Sequence, residues 1–144
     1  MFYSQKLGDL SRRSHYNKMI ISISITVPAG TLPATPIRQE IKLAKGTLVQ
    51  VTFDVPPGSN GEVYLRILHF ENSIIPDMVD EWIPVISGRY VFNPQFSDWK
   101  NVRKVQLEGC APYARYPHTI EVSLDVNEVG TLAELLKGFI GLGI

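Results

Sequence analysis

Between residues 19 and 127, apolar and polar side chains alternate in short runs separated by Pro, Gly and Asn. In Ile21-Ser22-Ile23-Ser24-Ile25-Thr26-Val27 the β-branched apolar side chains share one face and the hydroxyl side chains the other, which is the period of a half-buried strand. Pro28, Gly30, Pro33 and Pro36 remove backbone donors or permit turns, so residues 28–36 read as a loop or crossover. Ile37, Ile41 and Leu43 alternate with Arg38, Glu40 and Lys42, Lys45-Gly46 turns the chain, and Val49, Val51, Phe53 and Val55 form the inward set of the clearest strand.

After the turn-rich residues 56–61, Val63, Leu65 and Ile67 line one face of a strand over 62–70. Its other face, Tyr64, Arg66, Leu68 and Phe70, is more apolar than an outer sheet face needs to be, so this strand is either central or covered by residues 71–88, a mixture of short strand pieces and loop. Tyr90 and Phe92 mark a short strand over 89–93, followed by an aromatic loop over 94–100. Val105 and Leu107 mark a strand over 102–108, residues 109–117 form a Tyr- and Pro-containing loop, and Ile120, Val122, Leu124 and Val126 close the body. About seven strands with no helical period predict an all-β fold: a two-sheet antiparallel β-sandwich, jelly-roll or Ig-like, with an open barrel as the alternative.

The two ends have a different character. Residues 1–18 lack a period and hold Lys6, Arg12, Arg13 and Lys18 against Asp9, giving a basic arm. Within 128–144, Thr131 and Glu134 have capping-box spacing, and Leu132, Leu135, Leu136 and Phe139 share a face, which predicts a short amphipathic C-terminal helix. The chain therefore divides into an arm (1–18), a β-sandwich domain (19–127) and a helix with tail (128–144). Arg12, Arg13, Leu132, Leu135, Leu136 and Phe139 are candidates for docking onto a neighbouring copy; for the helix, capping its own sheet is the competing role.

Composition narrows the function. With 144 residues, 44% hydrophobic and 19% charged, the chain has the apolar content for one packed domain. Fourteen cationic side chains balance fourteen anionic ones, so there is no global field to draw the protein to a membrane surface and no strong nucleic-acid signal. No run approaches the ~20 apolar residues that span a bilayer. The alternation of Ser with Ile after Met19 is unlike a signal peptide, which places the protein in the cytoplasm. The single cysteine, Cys110, rules out an internal disulfide and reads as a small buried hydrophobe.

Catalytic patterns are missing from the sequence. His15, His69 and His118 stand too far apart for ligand spacing, and Asp77, Asp80 and Glu81 read as a solvated acidic loop without the residues of a calcium loop. No nucleophile turn or phosphate-cradling loop occurs, and residues 58–61 read as a hairpin connector. Glu40, Asp54, Glu121 and Asp125 fall on outward strand positions, where carboxylates protect edges and keep a sheet soluble. The expectation is a non-enzyme with no metal and no cofactor. Tyr90, Phe92, Phe96, Trp99, Tyr113 and Tyr116 remain as ligand or interface candidates, for sugar stacking or as interface anchors, against the plainer role of filling core under long loops. Arg103, Lys104 and Arg115 add a modest cationic patch.

Thr35-Pro36-Ile37-Arg38, Lys45-Gly46-Thr47-Leu48, Pro56-Pro57-Gly58, Gly61-Glu62-Val63-Tyr64-Leu65-Arg66-Ile67 and Tyr116-Pro117-His118-Thr119 together form a pattern spanning residues 32–127. In these it resembles small β-sandwich proteins encoded among the structural genes of bacteriophages. The resemblance implies a virion component present in many copies, such as a decoration, connector or tail-associated protein. Its partners would be other copies of itself and other virion proteins, its location the virion, and it brings no catalytic residues. The alternative is a carbohydrate- or surface-binding module with Trp99, Tyr113 and Tyr116 as an exposed platform. A small hydrolase would instead need a cleft with converging carboxylates.

Overall fold

In the computed structural model, which describes residues 18–58 and 60–128, the alternating runs become nine strands. They are β1 (Lys18–Val27), β2 (Ile37–Lys42), β3 (Gly46–Val55), β4 (Val63–His69), β5 (Asn72–Ile75), β6 (Ile83–Val85), β7 (Gly88–Phe92), β8 (Lys104–Cys110) and β9 (His118–Glu128). The number exceeds the expected seven because the segment after β4 yields two paired pieces, β5 and β6, both on β4. The described residues contain no helix. The expected helix with Leu132, Leu135, Leu136 and Phe139, and the arm with Arg12 and Arg13, lie outside the described residues.

All pairings are antiparallel and build two sheets, β1-β9-β3-β7 and β2-β8-β4-β5, with β6 alongside β4. The pairs β1·β9, β2·β8, β3·β7 and β4·β5 are nested, each inside the previous one, and successive pairs alternate between the sheets. One long antiparallel ribbon, closed by the β4–β5 turn, has been rolled into a sandwich. This is jelly-roll topology, which decides between the two sandwich types that the sequence allowed.

The alternation fixes what lies between the sheets. Val51, Phe53, Leu65, Ile67, Val105, Leu107, Ile120, Val122, Leu124 and Val126 are fully buried there, each from the inward row of its strand. Val49 departs from expectation. A register shift between Leu48 and Gln50 against β9 inserts an extra residue, so Leu48 and Val51 enter the core while Val49 is only half-buried. Such a bulge bends the strand and changes which residues face inward.

Two glycines permit close approaches that a side chain would block. A Cβ at Gly46 would stand 2.0 Å from the backbone oxygen of Asn127, where β3 starts against β9. A Cβ at Gly109 would stand 2.7 Å from Cγ2 of Val27 and 3.1 Å from Cδ2 of Leu65, so β8 lies close under the opposite sheet. Strand directions gather loops 28–36, 56–62 and 110–117 at one end of the sandwich. Lys18, loops 43–45 and 97–103, and Glu128 lie at the other, with Lys18 opposite Asn127.

Candidate interaction surfaces

The aromatic candidates divide by location. Trp99 is 6% exposed, and its indole N–H donates to the carbonyl of Gly46 at 2.7 Å. It packs edge-on to Phe96 at 4.7 Å and to His69 at 5.4 Å, while the backbone of Phe96 pairs with Leu48. The loop after β7 thus plugs the end of the sandwich from which Lys18 and Glu128 lead out. Tyr90, Phe92 and Phe96 also pack against the core, and Phe92 meets Phe53 at 5.3 Å. Tyr113 and Tyr116 are 82% and 69% exposed at the opposite end. Trp99 therefore does not join them in a three-ring platform.

The outer face of the β2-β8-β4 sheet holds a group that alternation alone does not reveal. Arg38, Glu108 and Arg66 are register neighbours across three strands. Glu108 is completely buried: it accepts from Nε of Arg38 at 2.6 Å and from Nε of Arg66 at 2.8 Å, and Nη2 of Arg38 also bonds its Oε2. Trp82, from the segment between β5 and β6, lies over the Arg66 guanidinium with its ring centroid at 4.1 Å. Segment 71–88 sets β5 and β6 beside β4 within the sheet, so β4 is a central strand, and of the outer face it covers the Arg66 guanidinium with Trp82. Both carboxylate oxygens are taken up by charge-assisted bonds that tie three strands together, which is a structural use of the group.

Beside this trio an open groove of about 950 Å³ is lined by Arg38, Glu40, Phe70, Glu71, Asn72 and Gln106. Phe70 holds a left-handed backbone at φ 56°, with its N–H donating to Oε1 of Gln106 at 2.7 Å. Its ring is half exposed. Sequence reasoning placed Phe70 simply on the outer row of β4; the signal for its positive φ was only its place in the tight β4–β5 turn.

Charge elsewhere is paired or spread out. Asp54 accepts from Nε of Arg89 at 2.8 Å across β3 and β7, and that bond raises the arginine further above its ordinary value. Lys104 reaches Glu40 at 3.5 Å, and Nε2 of His118 stands 3.6 Å from Glu62. Arg103, Lys104 and Arg115 do not form one patch, because Arg115 lies at the opposite end of the sandwich from the other two. Burial pushes the Cys110 thiol up to about 11. Among the described residues no three His, Cys, Asp or Glu side chains converge as metal ligands, and no helix is long and apolar enough to cross a membrane.

The sheet edges differ sharply from one another. β2 carries Arg38, Glu40 and Lys42 and follows Pro36; β5 has four residues, β6 three with a proline, and β7 five with Arg89. These are ordinary ways of blunting an edge. β1 has ten residues and, after Lys18, neither charge nor proline. Its inward side chains Met19, Ile21 and Ile23 are half-buried, while their register partners Val126, Leu124 and Val122 are fully buried. Its outward face pairs by hydroxyls, Thr26 with Thr119 at 2.8 Å and Ser24 donating to Glu121 at 2.6 Å, and leaves Ile20 exposed.

No protein-family model and no curated protein matches the chain in sequence. Among solved structures it is similar to a chain of the cyanophage Pam1 capsid asymmetric unit, at 12% identity over 79% of this chain and 86% of that one, with a TM-score of 0.49. It is similar to the coat protein of Tobacco streak virus at 7% identity over 78% and 86% of the two chains, with a TM-score of 0.42. A third is hydroxypropylphosphonic acid epoxidase from S. wedmorenis, at 12% identity and a TM-score of 0.36, of which this chain spans 43% while 75% of its own length is covered. At such identities and TM-scores these likenesses carry no argument about function. Viral capsid and coat proteins stand among the structures that this jelly roll is similar to.

Proposed function

We propose that this chain is a structural protein of a virus particle, a decoration, connector or tail-associated component that works in many copies and performs no catalysis. The observation that carries the reading is the β1 edge: ten residues long, free of charge after Lys18, with its inward row half-covered. Among the described residues nothing pairs the outer side of β1, an edge that is incomplete in a monomer by the ordinary rules of sheet design and complete in a subunit of an assembly. The filled interior points the same way. Jelly rolls serve capsids, lectins and enzymes alike, and this one packs the space between its sheets with Phe53, Leu65, Ile67, Leu107, Ile120 and Leu124. The resemblance to phage structural proteins supplies the virion setting. Among the described residues, the carbohydrate-binding alternative would rest on the exposed rings of Tyr113, Tyr116 and Phe70.

Light scattering of the purified full chain over a concentration series tests the proposal. A mass that climbs above 16.1 kDa toward a defined oligomer is the expected result. A monomer at every concentration would overturn it.

A further inference from the structure

We infer that the partner of the β1 edge is the β1 edge of a second copy, paired antiparallel about a two-fold axis at Ser22; this rests on the assembly reading and names its contact. The pairing follows from the alternation. In an antiparallel pair centred on Ser22, Ile21 stands opposite Ile23 and Met19 opposite Ile25, all on the inward face. Ile20 stands opposite Ser24 on the outer face, where the present partners are hydroxyls and one carboxylate. Every side chain meets one of its own kind or a small neutral neighbour, and no like charges face each other along the shared length. Any register of opposite parity would place the Ile row against the Ser row.

The contact supplies what the described residues of a single copy lack. It pairs the outward backbone groups of β1, continues the β1-β9-β3-β7 sheet across the axis, and brings the half-buried Met19, Ile21 and Ile23 of both copies side by side. The shorter, charged or proline-bearing edges β2, β5, β6 and β7 do not offer this. Because one strand pair falls below the ~1,200 Å² of ordinary stable interfaces, the pair forms weakly in dilute solution and gains strength when further contacts hold the copies together.

The test uses sedimentation velocity on the full chain with the double variant S22K,S24K and, as a control of equal charge on another edge, S87K,V91K. Ser22 and Ser24 are exposed and the new lysines face Ser123 and Glu121 within the monomer, so thermal unfolding should stay close to that of the parent. Association is expected to weaken at least tenfold in S22K,S24K and to be retained in S87K,V91K. Association unchanged in both variants, or lost equally in both, overturns the β1 pairing while leaving the assembly reading standing. A parent chain that never associates removes both. Should S22K,S24K unfold, S22C serves in its place: on oxidation the two introduced thiols at the axis should join the copies as a covalent dimer, with Cys110 buried and unreactive, and monomer under the same conditions would count against the pairing.

Discussion

Glu108→Ala probes the buried carboxylate on the outer face of the β2-β8-β4 sheet most sharply. The substitution removes an acceptor shared by Arg38 and Arg66. Arg66 is only 18% exposed, so its charge would be left largely desolvated, and breaking a buried pair from one side costs about 3–5 kcal/mol. Arg38 is 60% exposed and can turn to water, so its share is that of a surface pair, about 1 kcal/mol or less. The expected loss is about 3 kcal/mol for Glu108→Ala, about 3 for Arg66→Ala, including ~1 from its contact with Trp82, and under ~1 for Arg38→Ala. Against a typical total of about 5–15 kcal/mol these are large effects. Urea unfolding followed by Trp82 and Trp99 fluorescence should show the midpoint falling with an unchanged slope. A double-mutant cycle should couple Glu108 to Arg66 more strongly than to Arg38. The reasoning fails if Glu108→Ala costs less than ~1 kcal/mol, or if Arg38→Ala costs as much as Arg66→Ala.

Other outcomes follow from the close approaches and the buried thiol. Gly46→Ala sets a methyl 2.0 Å from a backbone oxygen at a φ of 153°, so it should lower stability by well over ~2 kcal/mol or prevent folding, whereas Gly30→Ala, with nothing within 4 Å but a φ of 79°, should cost about 1; thermal melts compare them. Gly109→Ala meets the stiff side chain of Val27 at 2.7 Å and should cost about 1–3 kcal/mol, partly recovered by Val27→Ala in the same chain. Trp99→Phe leaves the Gly46 carbonyl without its donor and should cost about 1–3 kcal/mol in urea unfolding. The Cys110 thiol, raised to about 11, stays protonated in the native protein at about pH 8–9. Iodoacetamide should therefore label it at that pH only after denaturation. The same shift contributes stability below an unfolded thiol value near 9 that is lost as pH climbs through 11.

Alternation was enough to place most strands, because the inward rows of β1, β3, β4, β8 and β9 are near-continuous β-branched or aliphatic sets with polar residues between them. It does not carry the pairing partners. The nested order β1·β9, β2·β8, β3·β7 joins residues as distant in sequence as Lys18 and Asn127, and nothing local distinguishes it from an Ig-like order. The bulge that sends Val49 outward and Leu48 inward has no local marker either. On the interaction surfaces, Glu108 stands in sequence between Leu107 and Gly109, far from both its partners; only the fold brings Arg38 and Arg66 to either side of it and Trp82 over Arg66. Trp99 reads as a loop aromatic, and it is buried because its indole N–H finds a carbonyl at the mouth of the core. The half-buried strand β1 was legible in its alternation, but that it is an edge is a property of the sheet order.

Hydrogen exchange of the β1 amides as a function of protein concentration tests the central claim most directly. At low concentration only the amides bonded to β9 should be protected, and as copies associate the alternate set along Lys18–Val27 should slow as well. Exchange in β1 that stays the same from dilute to concentrated solution, while the protein remains folded, would contradict an assembly built on this edge.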